Sequence, residues 1–100
     1  MPKLYEYLGI IIFFYSNEHE PIHVHARSGE FESKAEIIVV DGIVEEIVIT
    51  NIRGRKPLKG KELNHLKKFI EHYADAVVDK WVEYFVYHRE VDFEKVTQRL

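Results

Sequence analysis

Three of the six histidines fall within one short segment, at His19, His23 and His25. Apolar and polar residues alternate from residue 22 onward, so we expect His23 and His25 to project from one face of a β-strand. Imidazoles on one face can share a divalent metal ion, and His19 can reach back from the preceding loop as a third ligand. A carboxylate ligand is available from three acids, Glu18, Glu20 and Glu32. This nitrogen and oxygen set predicts a zinc or ferrous iron site with an open coordination position.

The same histidines also admit two interpretations that need no metal. In the catalytic one, His23 or His25 acts as a general base, because imidazole titrates near neutral pH. Arg27 or Lys34 would then hold an anion. In the structural one, both rings are hydrogen-bonded to Glu32 or to backbone groups on a polar strand face. No serine or threonine is placed to complete a nucleophilic triad, so acyl transfer is not predicted.

A second group of candidate residues is basic. Residues 51–68 carry seven of the 14 Lys and Arg side chains and a single acid, Glu62, whereas residues 36–50 carry four acids and no base. Such a basic segment can contact nucleic-acid phosphates, and the molecule is predicted to be electrostatically two-sided. The candidate phosphate contacts are Arg53, Arg55, Lys56 and Lys59. The alternative is a solvated helix face, which the net charge of −3 favours.

Runs of β-branched and aromatic residues predict the strands that must position the histidines. They lie at residues 8–15, 22–27, 31–40 and 43–52. Asp41-Gly42 between the last two runs is typical of a type I′ hairpin turn.

Ser28-Gly29 predicts a further hairpin turn, between the histidine strand and the strand that follows it. The resulting register segregates polar from apolar side chains. Its polar pairs are Arg27 opposite Glu30, His25 opposite Glu32, and His23 opposite Lys34.

Apolar residues recur at helical spacing after the strands and predict an amphipathic helix over residues 60–89. Two helices meeting near residues 73–75, with Asp75 as an N-cap, are the alternative. Residues 91–100 are predicted to be a frayed tail or a short docking strand. The order indicates an α+β fold in which an antiparallel sheet of about four strands packs against the helix. One hundred residues correspond to a single domain, residues 1–100.

Composition narrows the class of protein further. The chain has no cysteine, so disulfides and thiolate zinc sites are excluded. The apolar run at residues 8–15 is too short to cross a membrane and no secretory leader precedes it, so we expect a soluble cytoplasmic protein. The helix carries more aromatic residues than one face over four strands buries, which favours a homo-oligomer or a protein partner. These residues are Tyr73, Trp81, Tyr84, Phe85 and Tyr87.

The histidine segment resembles a known bacterial family. The resemblance is carried by Gly9, Tyr15, Glu18-His19, Pro21, His23-Val24-His25 and Gly29, together with the helix that reaches Trp81. The family is known as domain of unknown function 4160. Four positions depart from its pattern: Ile22 replaces a proline, Val24 an aromatic residue, Tyr73 a histidine that here has His72 beside it, and Lys80 an asparagine.

This resemblance implies a small prokaryotic cytoplasmic protein, often encoded beside another small protein in an arrangement like that of toxin–antitoxin modules. It supplies no activity. We therefore predict a protein-interaction module that uses its aromatic helix or a sheet edge to bind a small protein encoded nearby. A histidine- or metal-dependent hydrolase or nuclease, and a nucleic-acid-binding protein that uses residues 53–68, are the alternatives.

Overall fold

The fold is given by a computed structural model that describes residues 2–17 and 21–100. Its elements in chain order are β1 (Lys3–Tyr7), β2 (Ile10–Phe13), β3 (His23–Ser28), β4 (Phe31–Val40), β5 (Ile43–Asn51), α1 (Gly60–Phe85) and β6 (Glu94–Val96). The strands form one six-stranded sheet in the order β5-β4-β3-β2-β1-β6. The predicted α+β class is confirmed, with six strands instead of about four.

The prediction of one strand at residues 8–15 was wrong at its start. Leu8 and Gly9 have φ angles of 49° and 84°, and they form the turn between β1 and β2. Positive φ at both central residues is the pattern of a type I′ hairpin turn. Glycine adopts a positive φ readily, whereas Leu8 adopts it although its Cβ makes this conformation unfavourable. The short strand β1 ahead of this turn was not predicted.

The predicted hairpin register was also wrong, by two residues. The turn between β3 and β4 lies at Gly29 and Glu30, with φ of 59° at Gly29, as in a type II′ turn that has glycine at its first central position. Moving a turn by one residue moves every cross-strand partner by two, so each side chain keeps its face of the sheet. The observed pairs are His23 with Glu36, His25 with Lys34, and Arg27 with Glu32.

The turn between β4 and β5 lies at Asp41-Gly42, as predicted. Both residues have positive φ, 51° and 78°, which is the type I′ geometry. A bulge shifts the register between Ile38 and Val39. β3 pairs with β4 only as far as Glu36. Beyond this point β4 and β5 continue as a two-stranded ribbon.

One uninterrupted helix covers one face of the sheet, so the two-helix alternative was wrong, and α1 ends at Phe85 rather than near residue 89. Its buried residues recur three or four positions apart, as an amphipathic helix requires: they are Leu66, Phe69, Ile70, Ala74, Val77 and Trp81. They pack against the helix-facing side chains of the sheet, which include Ile12, Val24, Ala26, Ala35 and Ile37.

After α1 the chain returns to the far edge of the sheet. β6 pairs in parallel with β1, so the docking-strand prediction for residues 91–100 is confirmed over Glu94–Val96. Lys80 on α1 fixes this return, since its Nζ lies 3.5 Å from Glu94 Oε1 and donates to the carbonyl of Asp92 at 2.7 Å. No helix among the described residues combines the length and the apolar character that a membrane crossing needs.

Candidate functional site

The histidine pair lies on the face of β3 that is turned away from α1. His23 and His25 alternate with Val24 and Ala26, and these two apolar residues pack toward the helix. His23 is 6% exposed and His25 is 3% exposed, although α1 does not cover their face of the sheet. Both rings therefore lie on one side of the sheet, as the alternation of residues predicts. Alternation alone did not predict that they are buried.

Glu32 on β4 is the acidic partner of this pair. The residue is 1% exposed, and its Oε2 lies 3.2 Å from His25 Nδ1. Tyr15 donates its hydroxyl to the same oxygen at 3.3 Å, and Arg55 Nε lies 3.9 Å from Oε1. Because Glu32 pairs with Arg27 and His25 pairs with Lys34, the contact between Glu32 and His25 is diagonal rather than directly cross-strand.

Both imidazoles contact an oxygen acceptor through Nδ1. His23 Nδ1 lies 2.6 Å from the carbonyl oxygen of Pro21, and His25 Nδ1 faces the Glu32 carboxylate. A carbonyl oxygen can only accept a hydrogen bond, so His23 donates from Nδ1 to Pro21. The two ring centroids are 5.2 Å apart, with an angle of 71° between the planes.

Two aromatic residues enclose His25. Phe13 is fully buried and stacks on the imidazole at 5.5 Å, and Tyr15 meets it edge-on at 4.4 Å between centroids. Burial raises the pKa of the Tyr15 phenol, and the nearby Glu32 carboxylate raises it further. Sequence reasoning did not assign Phe13, Tyr15 or Arg55 to this site, although Phe13 and Tyr15 lie two apart within one apolar run.

The other residues predicted for this site are distributed differently. The guanidinium of Arg27 shares the histidine face but lies 5.1 Å over the Phe13 ring, and Lys34 Nζ lies 3.7 Å from Glu36. His19, Glu18 and Glu20 lie outside the described residues. Within residues 2–17 and 21–100, no group of three or more histidines and acids is arranged to hold a metal ion.

Some side chains of the basic segment have partners within the fold. Arg55 contacts Glu32, Lys56 Nζ lies 3.6 Å from Glu30, and Lys59 Nζ lies 5.9 Å from the centre of the Phe31 ring. Arg53 is exposed. Three of the four predicted phosphate contacts thus have partners within the fold, but all four residues are exposed, and the nucleic-acid interpretation stays a prediction.

The comparison with protein families finds a match to Domain of unknown function (DUF4160) over residues 9–82. The chain belongs to this family. No curated protein and no solved structure matches the chain significantly. The DUF4160 match contains β2 to β5 and α1 up to Val82, and therefore the whole histidine cluster, while β1 and β6 lie outside it.

The DUF4160 fold separates the helix from the histidines. Tyr73, where the resemblance places a histidine, packs on α1 against Tyr5 and Phe69 with centroid distances of 5.2 and 4.6 Å. The neighbouring His72 is exposed and its Nδ1 contacts the carbonyl of Lys68. Because the sheet lies between α1 and the histidine face, neither position on the helix completes the site.

Proposed function

We propose that this DUF4160 protein is a protein-interaction module that binds a partner protein along β5. The observation that carries the proposal is the position of β5, which is nine residues long and lies at one of the two edges of the sheet. No strand of residues 2–17 or 21–100 pairs with its outer side. An outer strand presents backbone N–H and C=O groups that can pair with an extended segment of another protein.

Exposed apolar side chains stand beside this edge. Val40 pairs with Ile43, and Ile38 lies two residues before Val40, so the three share one face of the β4–β5 ribbon, defined here as residues 37–47. They are 45%, 68% and 40% exposed respectively. A contiguous apolar group of this kind on a sheet edge is typical of a protein contact surface.

On the opposite face of β5 lies a shallow cavity of about 230 Å³. It is bounded by Ile47 and Ile49 on β5 and by Lys67 and Glu71 on α1. A strand added to β5 would lie beside this cavity.

Charge favours one kind of partner. Glu36, Asp41, Glu45 and Glu46 lie on or beside the β4–β5 ribbon, and residues 35–52 contain no base. A second copy of the chain would bring the same negative charges to the contact and be repelled. The edge therefore favours a different protein, one whose binding segment is basic and apolar.

The aromatic residues of the helix give less support to binding there. Trp81 is 7% exposed, and Tyr73, Tyr84 and Phe85 pack against the core. Tyr87, which was predicted to belong to the helix, is mostly exposed but lies beyond the end of α1. We therefore prefer the sheet edge to the helix as the contact surface. The toxin–antitoxin-like pairing implied by the resemblance would supply a small partner encoded nearby.

The test is to co-express the chain with the protein encoded next to it and to measure complex formation by size-exclusion chromatography with light scattering. We expect a stable hetero-complex at micromolar concentration. Ile43→Lys should weaken its affinity at least about tenfold, because it places a charge in the apolar contact. Val86→Lys, at a residue that is 54% exposed outside the ribbon, is the matched control and should leave the affinity unchanged.

Charge reversal tests the second half of the proposal. Glu45→Lys combined with Glu46→Lys should lower the association rate and reduce its dependence on salt, since both acids would attract a basic segment. A chain that stays monomeric with its genomic neighbour, or a complex that loses equal affinity in the Ile43→Lys and Val86→Lys variants, would contradict the proposal.

A further inference from the structure

We propose that one end of the sheet, the basic end, binds the phosphate backbone of a nucleic acid without reading its base sequence. The inference goes beyond the protein contact proposed for β5, because it concerns the opposite end of β4 from the ribbon. The basic end is defined by six side chains from three segments that meet where β4 begins: Arg27 on β3, Arg53, Arg55 and Lys56 in the loop after β5, and Lys59 and Lys61 around the start of α1.

Contacts within the fold bring these three segments together. Lys56 in the loop pairs with Phe31, the first residue of β4, in an isolated parallel bridge. Lys59 Nζ lies 5.9 Å from the centre of the same Phe31 ring. Glu62 in the first turn of α1 accepts the hydroxyl of Ser28, the last residue of β3. The basic side chains are distant in sequence, and they lie around the single turn between β3 and β4.

The acids at this end are outnumbered. Residues 27–32 and 51–62 contain six basic and three acidic residues. Glu32 is 1% exposed and lies 3.9 Å from Arg55 Nε. Glu30 lies 3.6 Å from Lys56 Nζ, and Glu62 is half-buried. The surface that a ligand meets at the basic end is therefore positive.

The acids of the ribbon do not cancel this charge. β4 runs ten residues from Phe31 to Val40, and at about 3.3 Å per residue it separates the basic end from the turn of the ribbon by about 30 Å. Exposed charges are largely screened beyond about 8 Å at physiological ionic strength. The net charge of −3 thus describes neither end, and a polyanion that approaches the start of β4 meets a positive surface.

The chemistry of the basic end favours a nucleic acid over an acidic protein. Half of its basic residues are arginine, whose planar guanidinium donates paired hydrogen bonds to phosphate oxygens. Arg27 lies 5.1 Å over the Phe13 ring, so its guanidinium is oriented before a ligand binds. Residues 51–62 are all described, and none of them exposes a large apolar side chain of the kind that anchors protein contacts. A positive surface without an apolar centre is typical of backbone binding to nucleic acids.

The experiment titrates the full chain into two fluorescently labelled single strands of unrelated sequence, one RNA and one DNA, and measures anisotropy at several salt concentrations. We expect similar affinities for both strands, with dissociation constants of about 1 to 100 µM at physiological salt and a steep loss of binding as salt rises. Arg53→Gln combined with Lys61→Gln should weaken binding to both strands equally. It should also reduce the slope of log Kd against log salt by roughly one to two, since each residue gives up one phosphate contact.

Lys95→Gln combined with Arg99→Gln is the matched control. It removes the same charge from exposed side chains on and after β6, which lies four strand positions from β4 at the other edge of the sheet. Affinity and slope should not change. Polyglutamate, which stands for an acidic protein segment, should displace the strands much more weakly than unlabelled nucleic acid of equal charge. Absence of binding, binding of one strand alone, equal effects of the two double variants, or equally effective displacement by polyglutamate would each overturn the proposal.

Discussion

The two faces of β3 are buried to a similar degree by different chemistry. Val24 and Ala26 face α1 and are fully buried, whereas His23 and His25 on the other face are 6% and 3% exposed. On the helix side the neighbours are apolar side chains, and hydrophobic contacts do not depend on a particular orientation of the groups. On the histidine side the neighbours are Glu32, a carbonyl oxygen and aromatic rings, and the contacts are directional.

This difference predicts how each face responds to substitution. Apolar burial stabilises in proportion to the area removed from water, so the helix face should respond to lost volume. A buried polar group is costly when its partner is removed, so the histidine face should respond to loss of a single acceptor or charge even when volume is conserved.

The largest effect is expected on the helix face. Phe69 is fully buried between Tyr5, Tyr7 and Tyr73, with ring centroids 5.2, 5.4 and 4.6 Å away. Phe69→Ala should lower the free energy of unfolding by about 3 to 5 kcal/mol, through lost transfer energy and the cavity that remains. Urea denaturation measures it. A loss below about 1 kcal/mol would show that α1 is not the principal cover of the sheet.

A smaller effect is expected on the histidine face. Glu32→Gln keeps the volume and removes the charge that faces His25 and Arg55. We expect the free energy of unfolding to fall by about 1 to 3 kcal/mol, as for a buried group deprived of a charged partner. Glu46→Gln on the exposed part of β5 is the control and should change it by less than about 0.5 kcal/mol. Equal effects at the two positions would remove the distinction between the faces.

Two kinds of sequence pattern, turn residues and alternation along a strand, predicted different parts of this arrangement. Asp41-Gly42 predicts its turn because few residue pairs tolerate positive φ at both positions. Alternation places His23 and His25 on one face regardless of the exact turn, which is why an error of two residues in the register did not disturb the face. Leu8 gave no comparable signal, since leucine at positive φ is uncommon and its turn divides an apolar run that otherwise predicts one strand.

The composition of the histidine site could be predicted only in part. Glu32 was expected near His25 from an incorrect register, and the real contact is diagonal. Tyr15 and Arg55 reach Glu32 from segments outside the two strands, and such contacts depend on tertiary packing that no local pattern encodes. The burial of both rings follows from the same packing.

The smallest expected effect concerns the phenol pKa values of two tyrosines, one on each face of the sheet. Tyr5 packs against α1, where burial raises the pKa of its phenol from 10.0 to about 12, with Glu94 adding to the shift. The pKa of Tyr15 is also raised by burial and by Glu32. Titration of tyrosinate absorbance should therefore show late ionisation at both positions, with Tyr5→Phe and Tyr15→Phe assigning the two transitions.

Glu32→Gln separates the causes of these shifts. It should lower the pKa of Tyr15 toward its ordinary value, because the negative neighbour is gone, and leave the pKa of Tyr5 near 12. The unfolded chain ionises Tyr5 near pH 10 and the folded chain only near 12, so the unfolded state binds fewer protons in this interval. The contribution of Tyr5 to the free energy of unfolding must then decline as the pH rises from about 10 to 12, and Tyr5→Phe should show less of this decline. A Tyr15 pKa that is insensitive to Glu32→Gln would mean that burial alone, as on the helix face, governs the histidine face.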